Sequence, residues 1–131
     1  MVVPSISLTY LAVLALLYGG LALVVVALRI KGNVPFGHGA DDLLQRAIRI
    51  HGNFAEWVPL TALLVAALEA LGEAGGHIHL LMGALLAARI LHPIGLFSRI
   101  GTASYRIGRI AGALTTWIVL MIAAILLLLR L

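Results

Sequence analysis

The chain contains no cysteine. That excludes a disulfide framework and a protein thiol for redox or nucleophilic work, so any sulfur chemistry must arrive with a ligand. Charge is also scarce, at 11% of residues, with five acids against nine basic residues, whereas apolar residues make up 63%. A water-soluble domain carries about 25% charged and about 45 to 50% apolar residues. The deficit of charge therefore excludes a conventional soluble domain for these 131 residues and selects the membrane class. The net charge of +4 and the pI near 10.4 could point to nucleic acid, but the basic residues stand at the ends of apolar runs. There they read as topology signals, and no nucleic-acid partner is expected.

What is present in place of charge is four apolar runs. Residues Ser5 to Leu28 hold no charge over 24 positions, more than the roughly 20 needed to cross a bilayer as a helix. The start lacks the basic segment and short apolar core of a cleaved signal, so this span is expected to remain in the mature protein. The predicted spans are residues 5–29, 43–71, 77–97 and 107–129, giving an all-α, integral membrane, four-helix bundle protomer in one domain, residues 1–131. Asp41 or Asp42 is the expected N-cap of the second helix, where an acid also suits the helix dipole. Pro59 is expected to kink that helix, Pro93 and Gly95 to loosen the end of the third, and the segment from Ser98 to Arg106 to form a basic loop. Gly108 and Gly112 make a G-x-x-x-G, a spacing that permits close helix approach.

Arg29, Lys31, Arg46, Arg49, Arg89, Arg99, Arg106 and Arg109 all belong to the first and third connections and their flanking turns, and the second connection has no Lys or Arg. The positive-inside rule puts those two connections in the cytoplasm and both termini on the other side, with Arg130 dissenting. Four helix ends then meet at one face, and Arg29, Arg49, Asn53, Glu56, Arg89, His92, Arg106 and Arg109 are expected to line one basic pocket there. Ionisable residues within spans are functional hypotheses by default, because each costs about 2.5 to 3.5 kcal/mol even on the lenient insertion scale.

The densest polar stretch is R-A-I-R-I-H-G-N-F-A-E-W-V-P, residues 46–59. On a helix, Arg46, Arg49, Asn53 and Glu56 share one face, and Ala47, Ile50, Phe54 and Val58 the other. Arg49 and Glu56 are separated by about 10 Å of helix rise, too far to pair with each other, so they look to other helices or a ligand. Arg46, at the interface, is expected to snorkel to lipid phosphate. Tyr105, Trp57 and Trp117 read as interfacial aromatics or bundle filling. His77 and His79 form an H-x-H without further ligands, and no metal site is expected.

This stretch resembles the hallmark of the MAPEG family, the membrane-associated proteins of eicosanoid and glutathione metabolism. The segments A-R-I-L-H-P-I-G-L and R-I-G-R-I-A-G-A-L-T-T-W are similar to the bacterial branch of that family. The resemblance implies a homotrimer in a bacterial inner membrane, with reduced glutathione as co-substrate between protomers and lipophilic electrophiles or hydroperoxides arriving from the lipid. It implies glutathione contacts at Arg29, Arg49, His51, Asn53 and Glu56. Registering the third span on Arg89 adds Arg89 and His92. The thiolate partner is Arg109 or Arg106, with Arg109 favoured by its R-x-x-G setting. Two positions depart from the family pattern: Trp57 and Leu96 stand where tyrosines are common. Two other functions stay open: a small proton-coupled carrier of lipophilic cations using Glu56, and a lipid- or partner-binding trimer of the same fold without catalysis.

Overall fold

A computed structural model describes residues 2–131 as four helices: α1 (Ser5–Gly32), α2 (Asp42–Ala70), α3 (Gly75–Phe97) and α4 (Ala103–Leu128). No strand occurs among the described residues. All four are long and apolar enough to cross a membrane. The all-helical expectation holds, and α2 and α4 each begin at a polar side chain that caps the first turn.

Asp41 is the N-cap of α2. Its carboxylate accepts from the backbone N–H groups of Leu43 (2.8 Å) and Leu44 (3.0 Å), satisfying donors that the first turn otherwise leaves open. Thr102 caps α4 in the same way, accepting from the Tyr105 N–H at 3.2 Å. That cap moves the start of α4 back to Ala103, so Tyr105 and Arg106, expected in a loop, are helical. The helices also run on through Pro59 and Pro93. At its other end α1 stops at Asn33, which adopts the left-handed conformation (φ 51°) favoured at such C-caps.

The buried face of α2 recurs at helical spacing through Leu44, Ala47, Ile50, Phe54, Val58, Ala62, Val65 and Leu68. It packs on Ile78, Leu81, Met82 and Leu85 of α3 and on Val119 and Ala123 of α4. Helix α1 buries only Ser7, Leu14 and Leu21, one residue every two turns. It therefore leans on α2 and α3 along a narrow seam, makes no contact with α4, and leaves most of its apolar surface outward. The α3–α4 pair is the tightest. A Cβ added at Gly95 would fall 2.7 Å from Gly108 Cα, and one at Gly112 would fall 2.8 Å from His92 Cβ. The G-x-x-x-G thus finds its partner in α3.

The end bearing the termini is tied by two acids to which the sequence reading gave no role. Glu69 is buried and accepts from the N–H groups of Ile6 (2.9 Å) and Ser7 (2.8 Å), so a side chain of α2 caps the first turn of α1. Replacing Glu69 by alanine orphans both donors beside a buried stem. The expected result is a loss of about 1 to 3 kcal/mol in detergent melts, and an unchanged melt would refute the capping role. Glu73 pairs with Arg130 (2.7 Å) and with His77 (2.7 Å). This ion pair accounts for the one arginine that stands at the terminal end against the charge bias. The hydrogen bond from His77 is the main reason the Glu73 carboxyl is held below its usual pKa. Its contribution to stability is thus present above the ordinary carboxylate range and lost as pH falls through the lowered value.

Candidate functional site

At the opposite, basic end a cleft of about 480 Å³ opens between α2, α3 and α4. Its lining includes Asp42, Arg46, Arg49 and Asn53 from α2, His92 from α3, and Tyr105 and Arg109 from α4. The helical period accounts for the α2 set: Arg49 and Asn53 lie one turn apart, and Arg46 and Asp42 lie on the turns before them. The α3–α4 glycine contact sets the rest, since Gly95 and Gly108 bring the backbone beside His92 and Arg109 to van der Waals distance.

Arg109 donates from Nη1 to the Tyr105 hydroxyl at 3.2 Å, with its guanidinium carbon 5.9 Å from that ring's centroid. The tyrosine thereby holds the cation, and its own O–H is left to donate into the cleft. Arg49 is exposed at the mouth. His92 is 6% exposed, with its Nδ1 unpartnered. Chemically the cleft offers three guanidinium groups, one carboxylate at Asp42, the two amides of Gln45 and Asn53, the His92 imidazole and a phenol. That set suits an anionic ligand of mixed charge.

The structure brings together Arg49, Asn53, His92 and Arg109 of the eight residues expected in one pocket, and it distributes the other four elsewhere. Arg29 donates to the carbonyls of Val34 (3.2 Å) and Gly37 (2.9 Å), fastening its own loop. Arg89 is only 2% exposed and sits inside the bundle. From there it donates to Asn53 Oδ1 (2.8 Å), to the Gly112 carbonyl (2.8 Å) and to the Thr116 hydroxyl. Glu56 is exposed on the outer surface and Arg106 lines shallow grooves on the outside of α4. His51, a further expected ligand contact, stacks on Tyr18 with ring centroids 4.5 Å apart, on the α1 side of α2.

Two residues move the other way. Arg46, expected to reach lipid phosphate, instead donates to the carbonyls of Leu96 (3.3 Å) and Ser98 (3.1 Å). There it closes the C-terminal end of α3, where a cation complements the helix dipole. Tyr105, read as an aromatic filler, is a polar wall of the cleft. The i, i+4 spacing of Tyr105 and Arg109 was the signal available, once α4 is known to begin at Ala103. His77 and His79 are taken by separate partners, Glu73 and the Tyr10 hydroxyl (3.3 Å). No cluster of three metal-ligating side chains occurs among the described residues.

Comparison with known proteins bears on the chain as a whole. The MAPEG family profile matches residues 7–129. The inner membrane protein YecN of Escherichia coli strain K12 is 34% identical over 117 residues, covering 89% of this chain and 86% of the relative. The YecN of E. coli O6:H1 matches to the same extent. No solved structure matches. With its four apolar helices the chain is an integral membrane protein, and it belongs to the MAPEG family.

Proposed function

We propose that the basic cleft binds reduced glutathione and that the protein is a glutathione-dependent transferase or peroxidase acting on lipophilic electrophiles or hydroperoxides. The observation that carries this reading is the meeting of Arg49, Asn53, His92 and Arg109 in one cleft of about 480 Å³, within the range of small-molecule sites. Glutathione has two carboxylates, an ammonium, two amides and a thiol. Arg49 and Arg46 suit the carboxylates, and Arg109 at the α4 wall suits the sulfur as thiolate. Asp42 is the one acid lining the cleft and is placed to meet the ammonium.

Glu56 supports assembly into a homotrimer. An exposed carboxylate within a membrane span needs a partner, and a second copy of the chain would bring cationic and amide groups to it. The same contact would let Glu56 and Arg106 join a neighbouring protomer's cleft, as the family likeness implies. Placement in a bacterial inner membrane, with the cleft opening to cytoplasm, follows the charge bias and the YecN relative.

Turnover tests the reading. Purified protein is supplied with reduced glutathione and either an aryl halide or a fatty-acid hydroperoxide. Glutathione-dependent product from at least one is expected, together with cross-linking that ends at three copies. Binding without turnover of either would leave the non-catalytic trimer. Proton-driven efflux of a lipophilic cation, lost in Glu56→Gln, would instead establish the carrier.

A further inference from the structure

A guanidinium offers only donors, so the atom of Asn53 that faces Arg89 at 2.8 Å is the carbonyl oxygen Oδ1. An asparagine amide is otherwise free to turn end for end and present either group. Here it is fixed by a cation that cannot itself turn. The second nitrogen of Arg89 is held by the Gly112 carbonyl and by Thr116, whose hydroxyl donates its own proton to the same carbonyl at 2.9 Å. With that proton committed, Thr116 can only accept from Arg89. Every group in this buried chain therefore has one available sense. What remains of the Asn53 amide is its Nδ2 hydrogens, and Asn53 lines the basic cleft beside Arg49 and His92.

We propose that Arg89 is a positioning residue: it touches no ligand, and by holding Asn53 Oδ1 it makes the cleft present a hydrogen-bond donor at Asn53, which selects a ligand with a carbonyl or carboxylate oxygen there. The identity of that ligand as glutathione rests on the function proposed above. The orientation of the amide does not. Because the acceptors on α4 lie next to the glycine contact, the same side chain also links the seating of α4 to the polarity of the α2 wall.

The chain has two asparagines, Asn33 and Asn53, so selective nitrogen-15 labelling of asparagine yields two side-chain amide pairs. In detergent without ligand, Arg89→Met is expected to shift the Asn53 pair and leave the Asn33 pair in place. An unmoved Asn53 pair would overturn the orientation claim whatever the ligand. Asn53→Asp supplies the second test, since it keeps an acceptor for Arg89 and removes the donor from the cleft. Its melting temperature should match or exceed that of the wild type while glutathione affinity falls about tenfold or more, the loss of a hydrogen bond compounded by an added anion. Asn53→Asp that binds glutathione as tightly as the wild type would overturn the donor claim. If the amide pair shifts as expected while wild-type protein gives no response to glutathione, the orientation stands and the proposed ligand falls.

Discussion

Gly108→Val is expected to part α3 from α4 and to cost the protein most of its stability in detergent. A Cβ at Gly108 would fall 2.5 Å from Gly95 Cα and 2.8 Å from the Leu91 carbonyl oxygen. These are backbone atoms, so no rotamer change can make room and the helices must separate. Even a single added methyl in a packed interior costs about 1 to 3 kcal/mol; valine adds three carbons against main chain. The damage should spread to the cleft, because the same seam carries His92, Arg109 and the Gly112 carbonyl that holds Arg89. Gly20→Ala is the matched control. It lies in α1 with nothing within 4 Å of the added carbon, and a mid-helix alanine is favoured over glycine by about 1 kcal/mol. Thermal circular dichroism of the two variants decides the matter. A Gly108→Val melt equal to that of the wild type would refute the seam.

Arg109→Ala is expected to leave glutathione bound and to remove most of its reactivity near neutral pH. A free thiol titrates near 8.5, so only about 3% is thiolate at pH 7. A guanidinium against the sulfur lowers that value. Ionisation alone therefore sets a ceiling of about thirtyfold on what Arg109 contributes at pH 7 by this route. The expected loss of turnover is about ten- to thirtyfold at pH 7. It should shrink as pH rises past about 8.5, where the free thiol ionises unaided. The ultraviolet band of the thiolate, followed against pH in the glutathione complex, should titrate well below 8.5 in the wild type and return toward it in Arg109→Ala. Arg106→Ala, on the outer side of α4, probes whether a neighbour's cleft also draws on that residue. Equal loss in both variants would mean that the two arginines share the task; loss in Arg106→Ala alone would transfer the role.

The fold was legible because hydropathy and the distribution of arginine are properties of the linear chain. Twenty-four uncharged residues announce a span without reference to any neighbour, and the basic connections order the helix ends. The stripe of Arg49 and Asn53 was legible for a similar reason, since spacing on one helix is local. What failed to show is which side chain another helix consumes. Arg89 and Arg49 are alike in sequence, each an arginine on an apolar helix. Only the α3–α4 approach at Gly95, Gly108 and Gly112 brings the Gly112 carbonyl and Thr116 to Arg89 and so turns it inward. Likewise Arg46 reaches carbonyls fifty and fifty-two positions away. Glu69 escaped notice because its partners are backbone donors of another helix, which no residue pattern marks.

Calorimetry of the detergent-solubilised protein with reduced glutathione, run beside Arg49→Ala, tests the role of the cleft most directly. Arg49 lines the cleft, is exposed and makes no hydrogen bond within the protomer among the described residues, so its removal should spare the fold. Saturable heat for the wild type, with affinity reduced about tenfold or more in Arg49→Ala through loss of a charge-assisted contact, is the predicted result. A wild type that gives no heat with reduced glutathione, or an Arg49→Ala variant that binds it equally well, would contradict the assignment of this cleft.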